Sequence, residues 1–313
     1  MQISNSNEIK FSIGISGRQK VDGFYVPTYR PGFYYHNVDS ASLISKNNKQ
    51  LFTTYFNSIK SKATGLEEKP SNYYIKEALL TWYKLWKDDP DLESNQQYKK
   101  YFDGFQEILL NSLPKVLEFK NLEIRESEIV LVTRAGDYLL DSCSGGISML
   151  IDLYWQIYLF SLQSDKKFTV IIDEIENHLH PSMQREVLPQ LLSTFGNIKF
   201  IVATHSPLII GSVKNSNVYA LRYYEFDNDT KRVKSELLDL VNKPKTASEI
   251  LNEVLGVPFT LPLWVEASID NIVNKYSKEP ISEDSFDKMR DELKQIGLED
   301  MMPQAMKSIL KND

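Results

Sequence analysis

The chain has 313 residues, 42% of them hydrophobic and 25% charged, with a formal net charge of -6. That is ordinary globular material with a length prior of about two domains, and its acidic balance lacks the basic domain or stripe of a nucleic-acid binder, leaving DNA contact to a local patch. A single cysteine, Cys143, excludes an intrachain disulfide framework and a cysteine-rich zinc site, so a reducing cytoplasm is the expected compartment.

In chain order, "MQISNSNEIK" has no basic start followed by an apolar run, so no signal peptide is read there. "EIKFSIGI" alternates like a strand, and "GFYVPTYRPGFYY" (23–35) is aromatic and β-prone, punctuated by Pro27 and Pro31. From Ser40 to about Phe119, apolar residues recur at three- and four-residue spacing, as in "YYIKEALLTWYKLWK", which predicts a helical lobe. "LEIRESEIVLVTRAGDYLL" (122–140) returns to alternation and reads as a hairpin turning at "RAGD". A Gly-Gly turn then leads into the very apolar stretch 147–162, whose Asp152 and Gln156 mark it as a buried helix rather than a membrane span. The strand "KFTVIID", a helix over 182–192 and the strand "NIKFIVATH" follow. This is a βαβ unit, and such units build parallel sheets with right-handed crossovers. "VYALRYYEFDNDTKRVKSELLDL" predicts another hairpin. The tail from Thr246 reads as helical, broken at Pro258, Pro262 and Pro280, with Gly297 as a helix C-cap.

Three short segments carry candidate chemistry. "FTVII" is apolar without alternation, as a parallel strand covered on both faces should be, and it ends in Asp173 and Glu174 at the edge where α/β sheets place ligands. A carboxylate there can hold Mg²⁺, and its neighbour can orient and deprotonate a water; the plain alternative is a pair of acids capping the next turn. "SCSGG" (142–146) precedes the buried helix with small hydroxyls and two glycines, which suits either an anion at a helix N-terminus or an ordinary Ser N-cap. "FIVATHSP" (200–207) ends a second core strand in Thr204 and His205, where an imidazole can reach a terminal phosphate or serve structure alone.

In the order SGG then helix, DE at one strand end and TH at the next, these residues resemble the C-terminal half of an ABC-class ATPase. The resemblance implies an α/β fold with a mostly parallel sheet. It assigns the signature to Ser144–Gly145–Gly146, the Walker B strand to "FTVIIDE" and the switch histidine to His205. "ENHLHP" (176–181) looks like the D-loop of the branch that includes SMC, RecF and OLD proteins, and "TASEILNEVLGVPFTLPLWVE" is similar to the tail of ATPases in Septu and retron anti-phage systems. By that resemblance the cofactors are ATP and Mg²⁺. Asp173 would serve Mg²⁺, Glu174 would be the general base, His205 would face the γ-phosphate, and the signature would act in trans across a homo- or heterodimer of ABC-class subunits. A nuclease effector is possible in such systems, and no membrane is implied. The implied domains are an ATPase core over 1–40 and 121–240, a helical lobe over 41–120 and a helical appendage over 241–313.

The sequence also departs from that pattern. The Gly-rich loop G-x-x-x-x-G-K-[ST], whose amides cradle phosphates, is absent; "GISGRQK" (14–20) lacks a second glycine before the lysine and continues with Val21. The chain is expected to begin just after the position of that loop, by truncation, by splitting of a subunit or by loss, which leaves its activity alone in doubt. The signature runs on into Ile147 where many members carry Gln. A non-catalytic ABC-fold protein that pairs with, or interferes with, an intact ATPase is the alternative reading. "LWVEASIDNIV" (263–273) superficially matches the first motif of a Toprim nuclease, but too little chain follows for that domain. His178 and His180 are accounted for by the D-loop resemblance rather than by zinc.

Overall fold

The computed structural model describes residues 19, 21–30, 32–39, 45–63, 69–163, 166–227, 230–238, 247–255, 263–277 and 282–309. The "EIKFSIGI" strand expected at 8–15 and most of "GISGRQK" lie outside the described residues. The chain divides into two compact units, residues 1–218 with 239–242, and residues 219–238 with 243–313.

The first unit is α/β. A three-stranded parallel sheet has the order β1 (Gly23–Val26), β5 (Thr169–Ile172), β6 (Lys199–Val202). Its register aligns Tyr25 with Ile171 and Ile171 with Ile201. Helices α1 (Asn48–Ala63), α2 (Ser71–Asp88) and α3 (Glu93–Ser112) fill the segment expected to be helical. They share one hydrophobic core with the sheet and with α4 (Gly145–Ser161). Every residue of α4 from Ile147 to Leu159 is buried, so this helix shows no amphipathic stripe. Its aromatic neighbours explain how it fits: Trp155 meets Phe105 edge-on at 4.7 Å between ring centroids and Trp82 at 5.5 Å.

Two buried charged residues of this core are bonded to polar partners. Asp152 of α4 accepts from the Tyr55 hydroxyl and, at 2.7 Å, from Gln156 Nε2. Burial raises the Asp152 carboxyl above its ordinary range, against the pull of those two bonds and of Arg30. Lys76 of α2, fully buried, donates to Asp141 Oδ2 at 2.6 Å and to His36 O at 2.9 Å.

A second, antiparallel sheet joins β2 (Phe119–Arg125), β3 (Glu128–Thr133) and the two-residue β4 (Tyr138–Leu139). Here the structure corrects the expected turn. The β2–β3 hairpin reverses at Glu126 and Ser127, with φ of 49° and 66°, while "RAGD" only links β3 to β4. Two-residue hairpin turns need left-handed backbone to match strand twist, and Glu-Ser is not a pair that advertises it. The βαβ unit is β5, α5 (Pro181–Thr194), β6, followed by the short α6 (Pro207–Ile210).

The second unit holds the expected hairpin, β7 (Val218–Asp227, its first residue in the first unit) and β8 (Thr230–Leu238), and the helices α7 (Ala247–Glu253), α8 (Leu263–Tyr276), α9 (Glu283–Gln295) and α10 (Met302–Ile309). Helices α8 to α10 close a small core around Val265, Met289 and Leu293. Gly297, at φ 74°, ends α9 as the sequence suggests: its N–H reaches Lys294 O and that of Leu298 reaches Leu293 O, the paired bonds of a Schellman cap. Among the described residues, no helix is long and apolar enough to cross a membrane.

Candidate functional site

Strand β5 lies between β1 and β6, and its carboxyl end delivers Asp173 and Glu174. The Asp173 N–H still continues the ladder, donating to Val26 O at 3.0 Å, so its carboxylate stands where strand pairing stops. Its Oδ2 accepts from Thr28 Oγ1 at 2.7 Å and from the Tyr25 hydroxyl at 3.2 Å. Lost solvation first, and then that carboxylate, raise the pKa of the Tyr25 phenol.

Glu174 opens a tight turn. Its backbone is left-handed (φ 45°), a conformation that costs a non-glycine residue about 1–2 kcal/mol. Two donors converge on its carbonyl, Arg30 Nη2 at 2.7 Å and Asn177 N at 3.0 Å. Arg30 also donates from Nη1 to Asp173 O and to Pro27 O, each at 3.0 Å. The turn runs through Asn177, whose side chain donates to Thr28 O at 3.3 Å, and His178, also left-handed at φ 63°.

The same turn holds the end of β6 in place. Glu176 accepts from Thr204 Oγ1 at 2.7 Å and from the His205 backbone N–H at 2.6 Å. The His205 side chain is exposed beside it. Ser206 then caps α6, accepting from Leu208 N at 3.2 Å, and donates to Gln184 Oε1 of α5 at 2.7 Å.

The glycine segment reaches this turn from the other side. Ser144 is the exposed N-cap of α4, but its side chain makes no cap hydrogen bond. A Cβ on Gly145 would meet nothing within 4 Å, whereas one on Gly146 would meet His178 O at 3.2 Å and Met183 Sδ at 3.3 Å. A side chain at 146 would thus have to displace its neighbours by a few tenths of an ångström, while 145 is open to solvent. Cys143 beside them is inert by burial, which pushes its thiol up to about 12, with Asp141 adding to the effect.

The structure therefore gathers Asp173, Glu174, His205 and the amino end of α4 around one turn, residues 173–179. An open cavity of about 360 Å³ adjoins it, lined by Thr28, Tyr29, Arg30, Gly32, Tyr34, Asn177 and His178. Just beyond the turn, His180 caps α5, its Nδ1 accepting from Ser182 N at 3.3 Å. Sequence reasoning missed Tyr25, Thr28, Arg30 and Glu176. The first three sit in "YVPTYRP", whose β-prone character and weak resemblance to the strand after the nucleotide site in this branch single out none of them.

Comparison with known proteins places this site in a family context. Residues 151–211, which contain both strand ends, match the family described as "AAA domain, putative AbiEii toxin, Type IV TA system". The chain is 28% identical over 178 residues to "Retron Ec83 probable ATPase" of Escherichia coli, covering 56% of this chain and 31% of that protein. It is 33% identical over 137 residues to "Septu protein PtuA" of Bacillus mycoides (strain KBAB4), covering 44% of this chain and 16% of that one. It thus spans less than a third of the curated relatives it matches most significantly. Among solved structures, an SMC ATPase described for ATP-driven dimerization is 16% identical with a TM-score of 0.37, over 51% of this chain and 94% of that one. The SMC head domain from Thermotoga maritima is 18% identical with a TM-score of 0.33, over 44% and 48%. The chain is thus similar in sequence to a retron probable ATPase and to Septu protein PtuA, the two groups that its tail suggested.

Proposed function

We propose that this chain is an ABC-class ATPase subunit whose ATP state controls a bacterial anti-phage defence or DNA-maintenance complex. The observation that carries this reading is the convergence of Asp173, Glu174, His205 and the α4 N-terminus on the single turn 173–179. Asp173 is the residue to hold Mg²⁺: its hard oxygen donors suit that ion, with the Thr28 hydroxyl on the same carboxylate. When bound, Mg²⁺ supplies charge neutralisation at the phosphates. Glu174 is the general base, the carboxylate that would take a water's proton. His205, tied through its own N–H to Glu176, would face the terminal phosphate of a bound nucleotide.

The nucleotide itself fits this chain only in part. No G-x-x-x-x-G-K-[ST] stands among the 313 residues, and Ser144, Gly145 and Gly146 offer one helix N-terminus, worth on the order of 1 kcal/mol by its dipole. In this reading they serve a nucleotide held by a partner ATPase subunit in a head-to-head homo- or heterodimer, and the complex includes a nuclease effector. The alternative reading is a non-catalytic ABC-fold protein that pairs with, or interferes with, an intact ATPase. Glu174→Gln separates the two. In a complex reconstituted with a subunit that carries the phosphate loop, ATP turnover should fall by roughly 10² or more while ATP binding survives. Unchanged turnover leaves only the second reading.

A further inference from the structure

Asp173, Glu174 and Glu176 place three carboxylates within four positions of the turn, and like charges this close disfavour one another. Beneath the turn lies a cation. Arg30 is only 4% exposed, and a buried charge is normally paired with an opposite one. Yet among the described residues its three hydrogen bonds all go to backbone carbonyls, those of Pro27, Asp173 and Glu174.

The carboxylates act on it through space. Burial lowers the guanidinium pKa, and the fields of Asp152, Glu176, Asp173 and Glu174 oppose that fall. Asp152 faces it from the buried interior of α4, the other three from the turn. Tyr25 on β1, and Tyr29, Tyr34 and His178 in the adjoining cavity, are the other titratable groups nearby. A guanidinium suits this place because its rigid fork reaches several carbonyls at once, whereas a lysine ammonium presents a single point charge.

We infer that Arg30 is a positioning residue for the proposed hydrolytic site: it fixes the Asp173–Glu174 backbone and acts as the permanent countercharge of the Asp173, Glu174 and Glu176 carboxylates. The inference rests on the reading of Asp173 and Glu174 as metal partner and base. It gives "YVPTYRP" a purpose that its β-propensity hides, since the strand exists to bring Arg30 and Thr28 under the turn.

Thermal melting of the full chain tests it without any partner. Arg30→Met should lower the melting temperature by on the order of 10 °C. If what is lost is a countercharge, millimolar Mg²⁺ should recover at least half of that fall, and so should adding Glu174→Gln to the same chain. Arg30→Lys keeps the charge but not the fork, so it should be destabilised without responding to Mg²⁺. A fall in Arg30→Met that neither Mg²⁺ nor Glu174→Gln reduces would overturn the countercharge role. Should Arg30→Met not fold, Glu174→Gln in the wild-type background decides: with a countercharge in place it leaves the melting temperature level or lower, and a rise overturns the inference. Loss of turnover in Glu174→Gln tests the proposed hydrolysis separately, so either conclusion can fail without the other.

Discussion

The two faces of the parallel sheet are made of similar residues and live in different surroundings. On one face Val26, Val170 and Ile172 are 0% exposed and join the main core with Phe24. On the other, the register row Tyr25, Ile171 and Ile201 is 45%, 43% and 47% exposed. Helices α4 and α5 both contribute buried residues to the first core. Parallel strands are normally covered on both sides, and the unalternating "FTVII" reads as such a strand. The difference teaches that apolar composition reports which surfaces a strand is built to bury, and the described residues cover only one of the two. Fully burying a single isoleucine is worth about 1.5–3 kcal/mol, so the open row withholds a sizeable share of what the sheet could contribute.

Substitutions across the sheet should separate the faces. Ile172→Ala removes a fully buried side chain and should cost about 2–5 kcal/mol in chemical denaturation; a loss below about 1 kcal/mol would mean that the covered face is looser than its burial indicates. Thiol labelling sharpens the contrast from another direction. Cys143 packs against the covered core, and with its thiol held near 12 against an ordinary value of 9.0, its thiolate is scarce at pH 8. The folded chain should therefore react with a thiol reagent roughly 10²–10³-fold more slowly than the unfolded one. An Ile201→Cys thiol on the open face should react at close to the unfolded rate. The same shift carries a stability consequence. Because the folded pKa is raised, the native state keeps the proton longer than the unfolded chain, so its stabilising effect is complete below pH 9 and fades as pH climbs toward 12. Smallest of all, Ile171→Ala on the open face should change stability by less than about 0.5 kcal/mol. A loss matching that of Ile172→Ala would erase the distinction between the faces.

Much of this architecture was readable from periodicity. The predominantly apolar run of α4, the βαβ unit and the Gly297 cap each leave a local trace, because period and turn chemistry act within a few residues. The segment marked by "SCSGG", "DE" and "TH" was legible for the same reason, as strand ends and helix starts are punctuated in sequence. The Glu126–Ser127 turn was not, since its left-handed pair is imposed by the strands on either side. Arg30 was hidden more deeply. Its bonds to Asp173 O and Glu174 O join positions 143 and 144 residues apart, and a side chain that binds backbone carbonyls selects no particular residue type in its partners. Glu176 is the same case in reverse: its carboxylate binds a backbone N–H at 205, which any residue could supply.

The pairing of β1 with β5 also sets a clock on biosynthesis. Gly23 pairs with Thr169, so at translation speeds of about 5–20 residues per second the first strand leaves the ribosome roughly 7–30 s before its partner. Throughout that interval its aromatic residues have no sheet to join, while the three helices that follow it can already form locally. The nascent chain is consequently most exposed to chaperone capture, and to premature association through this strand, before α4 and β5 have been synthesised.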